Sequence, residues 1–157
     1  MKEIEKYLLR AIDIIVVGSF SVMTFVVFVN VILRYAFNSG ITFSEELSRL
    51  CFVWLTFLGA ILAMKENAHI RVDSFIRRLS IRARKSCSVI VNVLIIYVCW
   101  LLFDGSLTQT LINLDTQSPA LGIPMAFLYI TGVISSVGII IYAARNICLL
   151  HKEINAD

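Results

Sequence analysis

Four stretches without a single Asp, Glu, Lys or Arg run through this 157-residue chain: Ile14–Leu33, Leu50–Met64, Ser86–Phe103 and Met125–Ala144. A hydrocarbon layer of ~30 Å is crossed by about 20 helical residues at ~1.5 Å each. The first and last stretches are long enough as they stand. The second reaches span length from Leu47 if Arg49 snorkels its guanidinium to the headgroups. Backbone polar groups in lipid must be satisfied internally, and the period-two alternation of a membrane barrel is absent, so the stretches are expected to be helices. The expected fold is all-α, an integral membrane protein with four transmembrane helices over about 12–33, 47–64, 86–103 and 124–144, forming one domain over 1–157. Composition agrees: 59% of residues are hydrophobic and 16% charged, against about 25% charged in soluble domains.

Charge asymmetry sets the orientation. Twelve of the fourteen Lys and Arg residues fall in the N-terminal segment, the second connection and the C-terminal segment, leaving Arg34 and Arg49 on the other side. The positive-inside rule then makes both termini and the second connection cytoplasmic. Lys2, Lys6 and Arg10 ahead of an apolar run resemble a signal peptide, but that run is too long and no small-x-small site ends it. It is expected to stay as a helix. A net charge of +3 distributed this way fits the bilayer surface and not nucleic acid.

The connections carry further pattern. Val72, Phe75, Ile76 and Leu79 recur at i, i+3, i+4 and i+7, with Arg71, Arg77, Arg78 and Arg82 mostly off that stripe. This predicts a cytoplasmic amphipathic helix over about 71–85, lying on the membrane or against a partner protein. In the first connection Asn38, Ser39 and Gly40 form a turn, and Ser44 is the expected N-cap, with Glu45 and Glu46 in the first turn. The third connection ends Ser118-Pro-Ala-Leu-Gly-Ile-Pro124, and Pro124 suits the first turn of the fourth helix.

Reactive chemistry is sparse. All 11 acidic residues are expected outside the central membrane, Asp13 near the cytoplasmic end of the first helix and Asp104 at the outer end of the third, whereas ion-coupled carriers usually hold a charge near mid-depth. His69 and His151 both fall in cytoplasmic segments, which removes a transmembrane bis-His haem. Cys51, Cys87, Cys99 and Cys148 form no Cys-x-x-Cys pair and read as small apolar side chains. No cofactor and no enzymatic activity are expected. Packing features remain. Gly59 with Ala63, and Gly132 with Ser136, are small residues four apart that allow close helix approach. Asn30, Thr56, Asn92 and Ser135 can hydrogen-bond between helices. Asn30 and Arg34 share a face one turn apart, and Arg34 is expected to pair with Glu45, Glu46 or a partner carboxylate, or else to form a surface pair of little consequence.

Five short motifs then align in order: Asn-Val-Ile-Leu-Arg-Tyr (30–35), Ser-Glu-Glu-Leu-Ser-Arg (44–49), Trp-Leu-Thr-Phe-Leu-Gly-Ala (54–60), His-Ile-Arg-Val-Asp (69–73) and Leu-Gly-Ile-Pro (121–124). Over roughly Asn30 to Pro124 the chain resembles the small, four-helix Q-type (DctQ-like) subunit of tripartite ATP-independent periplasmic (TRAP) transporters. The resemblance implies a bacterial inner-membrane protein bound to a large multi-helix subunit that carries substrate and sodium. A periplasmic solute-binding protein would deliver an organic acid to that pair. The small subunit would brace the static part of the carrier, and its outer loops, 36–43 and 113–123, would contribute to docking. Subunit-interface or structural candidates are Asn30, Arg34, Tyr35, Glu45, Glu46, Arg49, Trp54, Gly59, His69, Asp73 and Pro124. The competing reading is a small homo-oligomeric exporter or channel in which Asp13 lines a shared pore.

Overall fold

The computed structural model describes residues 2–67 and 81–154. It contains four helices: α1 (Lys2–Phe37), α2 (Thr42–Asn67), α3 (Ile81–Ile112) and α4 (Ala126–Ile154). Each is long and apolar enough to cross a membrane, and each runs beyond the stretch marked by charge alone. A carboxylate at a helix surface does not break backbone hydrogen bonding, so α3 continues past Asp104 to Ile112. Residues 81–85, expected in a separate amphipathic helix, are the first turn of α3. The remainder of that expected helix, with His69 and Asp73, lies outside the described residues.

The helix ends have local causes. Asn38 takes a left-handed φ of 52° after α1, a conformation Asn tolerates, and the Ser39 N–H donates to the Leu33 carbonyl at 3.2 Å. Ser44 is not the N-cap of α2. The helix already starts at Thr42, the Ile41 carbonyl accepts from the Ser44 N–H at 3.0 Å, and the buried Ser44 hydroxyl donates to Val26 of α1 at 3.1 Å. Pro124 likewise stands just ahead of α4 and not in its first turn. It pairs with Gln117 in an isolated bridge, and its carbonyl accepts from the Phe127 N–H at 3.1 Å.

The helices stand side by side in the order α1, α2, α4, α3: α1 packs on α2, α2 on α4, and α4 on α3. The α1–α2 and α3–α4 pairs are antiparallel hairpins, and α2 and α4 run parallel between them. The start of α1, the end of α2, the start of α3 and the end of α4 therefore share one end of the layer, the terminal end. The α1–α2 and α3–α4 connections share the other, the loop end.

Close approach is made by two glycines of α4. A Cβ on Gly138 would lie 2.9 Å from Ile61 Cδ1 on α2, and one on Gly132 would collide with Ser106 on α3. Where the hydrophobic effect between helices is absent, such backbone proximity and dispersion carry the association. Gly59, expected in the same role, has nothing within 4 Å of a Cβ position. Spacing identified a small-residue face there, but that face is not turned into this chain's own interfaces. The fully buried Thr131, Ser135 and Ser136 of α4 all donate hydrogen bonds, Thr131 to Leu128 at 2.7 Å, Ser136 to Val133 at 2.9 Å and Ser135 across to Phe57 of α2 at 2.9 Å. This satisfies the requirement on polar groups away from water. Thr56 and Asn92 instead bond within their own helices, to Phe52 at 2.8 Å and Ser88 at 2.7 Å.

The contacts also fix vertical register. Ser106 against Gly132, and Val98 and Cys99 with Ile139, bring Asp104 level with Ile134, the middle of α4's charge-free stretch. Phe57 with Ser135 and Ile61 with Gly138 bring the α2 and α4 stretches level with each other. Ser44 with Val26, and Leu9 with Lys65, set α1 against α2. Relative to the central pair, the charge-free stretch of α1 is displaced toward the loop end and that of α3 toward the terminal end. Each displacement is about eight or nine residues, roughly 13 Å at ~1.5 Å per residue.

Candidate functional site

At the loop end, Glu46 joins the two hairpins. Residues 116–125 fold into a tight segment in which Ser118 N–H donates to Ile123 (2.8 Å), Gly122 N–H to Ser118 (2.9 Å) and Met125 N–H to Thr116 (2.8 Å). Gly122 sits at φ +66°, where a side chain would be strained. This geometry leaves the Ala120 and Leu121 N–H groups pointing together at α2, and both donate to Glu46 Oε2, at 2.7 and 3.0 Å. Arg49, one turn on, lies 3.6 Å from Glu46 Oε1; the Glu46 side chain is only 12% exposed and that of Arg49 59%. Two charge-assisted bonds to adjacent backbone donors form the stronger part of this knot, and the exposed Arg49 adds little. A cavity of about 30 Å³ beneath it, lined by Glu46, Leu50, Ser118, Pro124 and Leu128, has room for about one water molecule. On its outer side a cleft of about 310 Å³ is lined by Thr42, Glu45, Glu46, Arg49, Pro119 and Ala120.

Two other expected residues act as ties. The Asn30 side chain accepts from the Ile41 N–H at 3.0 Å, and so holds the turn leading into α2. Trp54 donates its indole N–H to the Phe127 carbonyl at 3.1 Å, joining α2 to the first turn of α4. Arg34 is not paired with Glu45 or Glu46. It is exposed, and Glu46 is occupied by the segment after Ser118. Tyr35 and Glu45 are exposed as well.

One set of residues was invisible to sequence reasoning. At the terminal end Glu5 Oε1 accepts from Arg145 Nη1 at 2.9 Å and from the Tyr142 hydroxyl at 3.3 Å, so α1 is fastened to α4 across the end of α2. Partners 140 positions apart leave no local pattern.

Between the two ends of the layer the exposed side chains are mostly apolar, with Asp104 of α3 an exposed carboxylate at that height. Leu9 is the one buried side chain on α1 among the described residues, while Phe25 and Phe28 are 69% and 63% exposed. Between α2 and α3, over α4, a groove of about 520 Å³ is lined by Ala60, Ala63, Val91, Leu94, Val98 and Ile139. The four cysteines are free, and among the described residues no group of three His, Cys, Asp or Glu could hold a metal ion.

An all-α layer of four spanning helices, tied to itself by polar knots and uncovered on its faces, defines a multi-pass membrane subunit. Residues 23–153 match the family model for the DctQ component of tripartite ATP-independent periplasmic transporters. The chain is also 36% identical over 137 residues to a TRAP transporter small permease protein of Haemophilus influenzae, covering 87% of this chain and 85% of that protein. A second small permease protein of the same organism is 38% identical over 135 residues, covering 86% and 82% respectively. The isethionate TRAP transporter permease protein DctMQ of Oleidesulfovibrio alaskensis is 32% identical over 91 residues, which cover 55% of this chain but 14% of that longer protein. The chain belongs to the DctQ family of small TRAP permease components, a family of transport subunits and not of enzymes.

Proposed function

We propose that the chain is a non-catalytic brace in the bacterial inner membrane, bound along its apolar faces to a large multi-helix subunit that moves an organic acid with sodium. A solute-binding protein on the outer side would present that acid, and the knot around Glu46, with the cleft edged by Glu45 and Arg49, would form part of its landing surface. The observation that carries the reading is the open row of helices. A chain that worked alone would be expected to close its helices around a path, whereas α1 here leaves nearly all of its apolar surface uncovered. The similarity to a short stretch of the much longer DctMQ permease protein supports the same arrangement. There, a segment like this chain is part of a larger permease.

Orientation follows the charge count, with the terminal end cytoplasmic. The displaced apolar stretches then acquire a simple cause. With neighbouring helices ~8–10 Å apart, two displacements of roughly 13 Å over three spacings correspond to a layer leaning within its own plane by about 40°, the upper end of the usual helix tilts. In that attitude Asp13 and Asp104 move to opposite sides, each roughly 10 Å from mid-depth, and no carboxylate is left at the middle of the bilayer. Upright, the layer would hold Asp104 opposite the middle of α4.

The test is uptake in liposomes under a sodium gradient. The isolated chain is expected to move no candidate acid, and the chain with its large subunit and binding protein is expected to move one. Transport by the isolated chain would overturn the assignment in favour of a homo-oligomeric exporter or channel.

A further inference from the structure

At the terminal end of the α1–α2 hairpin an open pocket of about 330 Å³ is lined by Glu5, Lys6, Leu9, Arg10, Asp13 and Lys65. Lys6 and Arg10 are four apart and share one face of α1, while Lys65 comes from the last turn of α2. Leu9, buried against α2, forms the floor. Three cations are thus gathered around one concavity, and among the described side chains no carboxylate comes within ion-pair distance of any of them. Glu5 is drawn away by Arg145 and Tyr142, at 2.9 and 3.3 Å, which leaves Asp13 as the counter-charge on the pocket wall.

Depth narrows the anion that fits. The pocket lies where the charge-free stretches of α1 and α2 begin and end, so it opens at headgroup level. Immediately beyond it on α1 the exposed Ile14 and Val17 continue as an apolar lip. Basic pockets between helices on the cytoplasmic side of a membrane suit anionic lipid headgroups, and a guanidinium flanked by ammonium groups matches phosphate oxygens.

We propose that Lys6, Arg10 and Lys65 bind the phosphate of an anionic phospholipid, with its acyl chains lying along Ile14 and Val17. The site's cytoplasmic placement rests on the orientation given above, but the binding itself does not. Orientation is read separately, by thiol labelling at the chain ends.

The experiment uses the full chain, purified and delipidated in a neutral detergent. Native mass spectrometry and thermal unfolding follow titration with phosphatidylglycerol, phosphatidylcholine or inorganic phosphate. Phosphatidylglycerol is expected to bind and to raise the unfolding temperature, and phosphatidylcholine to do so far less. At about fivefold per cation, the triple variant Lys6→Gln, Arg10→Gln, Lys65→Gln should bind phosphatidylglycerol about a hundredfold more weakly. The charge-keeping triple Lys6→Arg, Arg10→Lys, Lys65→Arg should retain most of the affinity, which separates loss of charge from loss of fold. Equal binding of both lipids, or undiminished binding by the glutamine variant, would overturn the proposal. Inorganic phosphate reproducing the whole effect would assign the pocket to a soluble anion and overturn the lipid assignment.

Discussion

Replacing Gly138 by Ala tests the contact that joins the two hairpins. The added Cβ would stand 2.9 Å from Ile61 Cδ1, 3.1 Å from Cγ1 and 3.3 Å from Cγ2, against an optimum of roughly 3.5–4.0 Å between carbon atoms. Ile61 is 3% exposed and has little free space to enter, so side chain and helix must move apart by about half an ångström or more. Such overpacking costs about 1–3 kcal/mol. Ile61→Val removes Cδ1, the nearest atom, and by itself costs about 0.5–1.5 kcal/mol. Combined with Gly138→Ala it relieves the worst contact, so the double variant should be about 1 kcal/mol or more stabler than the two single effects added together. Reversible unfolding in mixed detergent–SDS micelles, followed by circular dichroism, measures all four proteins. Additivity within roughly 0.5 kcal/mol, the behaviour of uncoupled sites, would refute the packing of α2 on α4 described above.

Glu46→Ala should release the Ala120 and Leu121 amides to hydrogen exchange about tenfold faster or more, while Arg49→Ala changes them little; exchange mass spectrometry over 116–125 reads both. Trp54→Phe keeps the ring and loses the bond to Phe127, which should cost about 1 kcal/mol in the same micelle assay. Arg34→Ala, having no pair among the described residues to break, should alter the isolated protein's stability by less than about 0.5 kcal/mol yet lower its co-purification with the large subunit. For the tilted layer, Asp104→Cys in a cysteine-free background should react with a small maleimide faster than Ile134→Cys, which lies level with it in the layer; equal reactivity of the two would mean an upright layer.

The spans could be read from sequence because a charge-free stretch of this length has few alternatives in water. Their ends were harder to place. Asp104 looked like a boundary, but helical hydrogen bonding passes it without interruption to Ile112. Ser44 had the chemistry of a cap, yet the carbonyl of Val26 on the neighbouring helix captured its hydroxyl. Small-residue spacing flagged both Gly59 and Gly132, and only packing decides which one meets a neighbour: Gly132 does, and Gly59 does not. Glu46 could be singled out as a residue but not by partner, because its donors are backbone N–H groups that any sequence possesses. Their convergence depends on the turn at Gly122. Asn30 and Trp54 could be singled out for the same reason and in the same incomplete way. The link from Glu5 to Arg145 is a product of the row order α1, α2, α4, α3, and row order is not written in any local pattern.

The uncovered apolar surface of α1 is the feature on which the brace assignment stands, and its fate in the assembled transporter can be measured. Single cysteines at Phe25, Phe28 and Val17, in a background lacking Cys51, Cys87, Cys99 and Cys148, are labelled with a lipid-soluble maleimide in membranes with and without the large subunit. Co-expression is predicted to protect at least one of the three positions, which share one face of α1, strongly. Equal labelling of all three positions in both membranes would contradict the account.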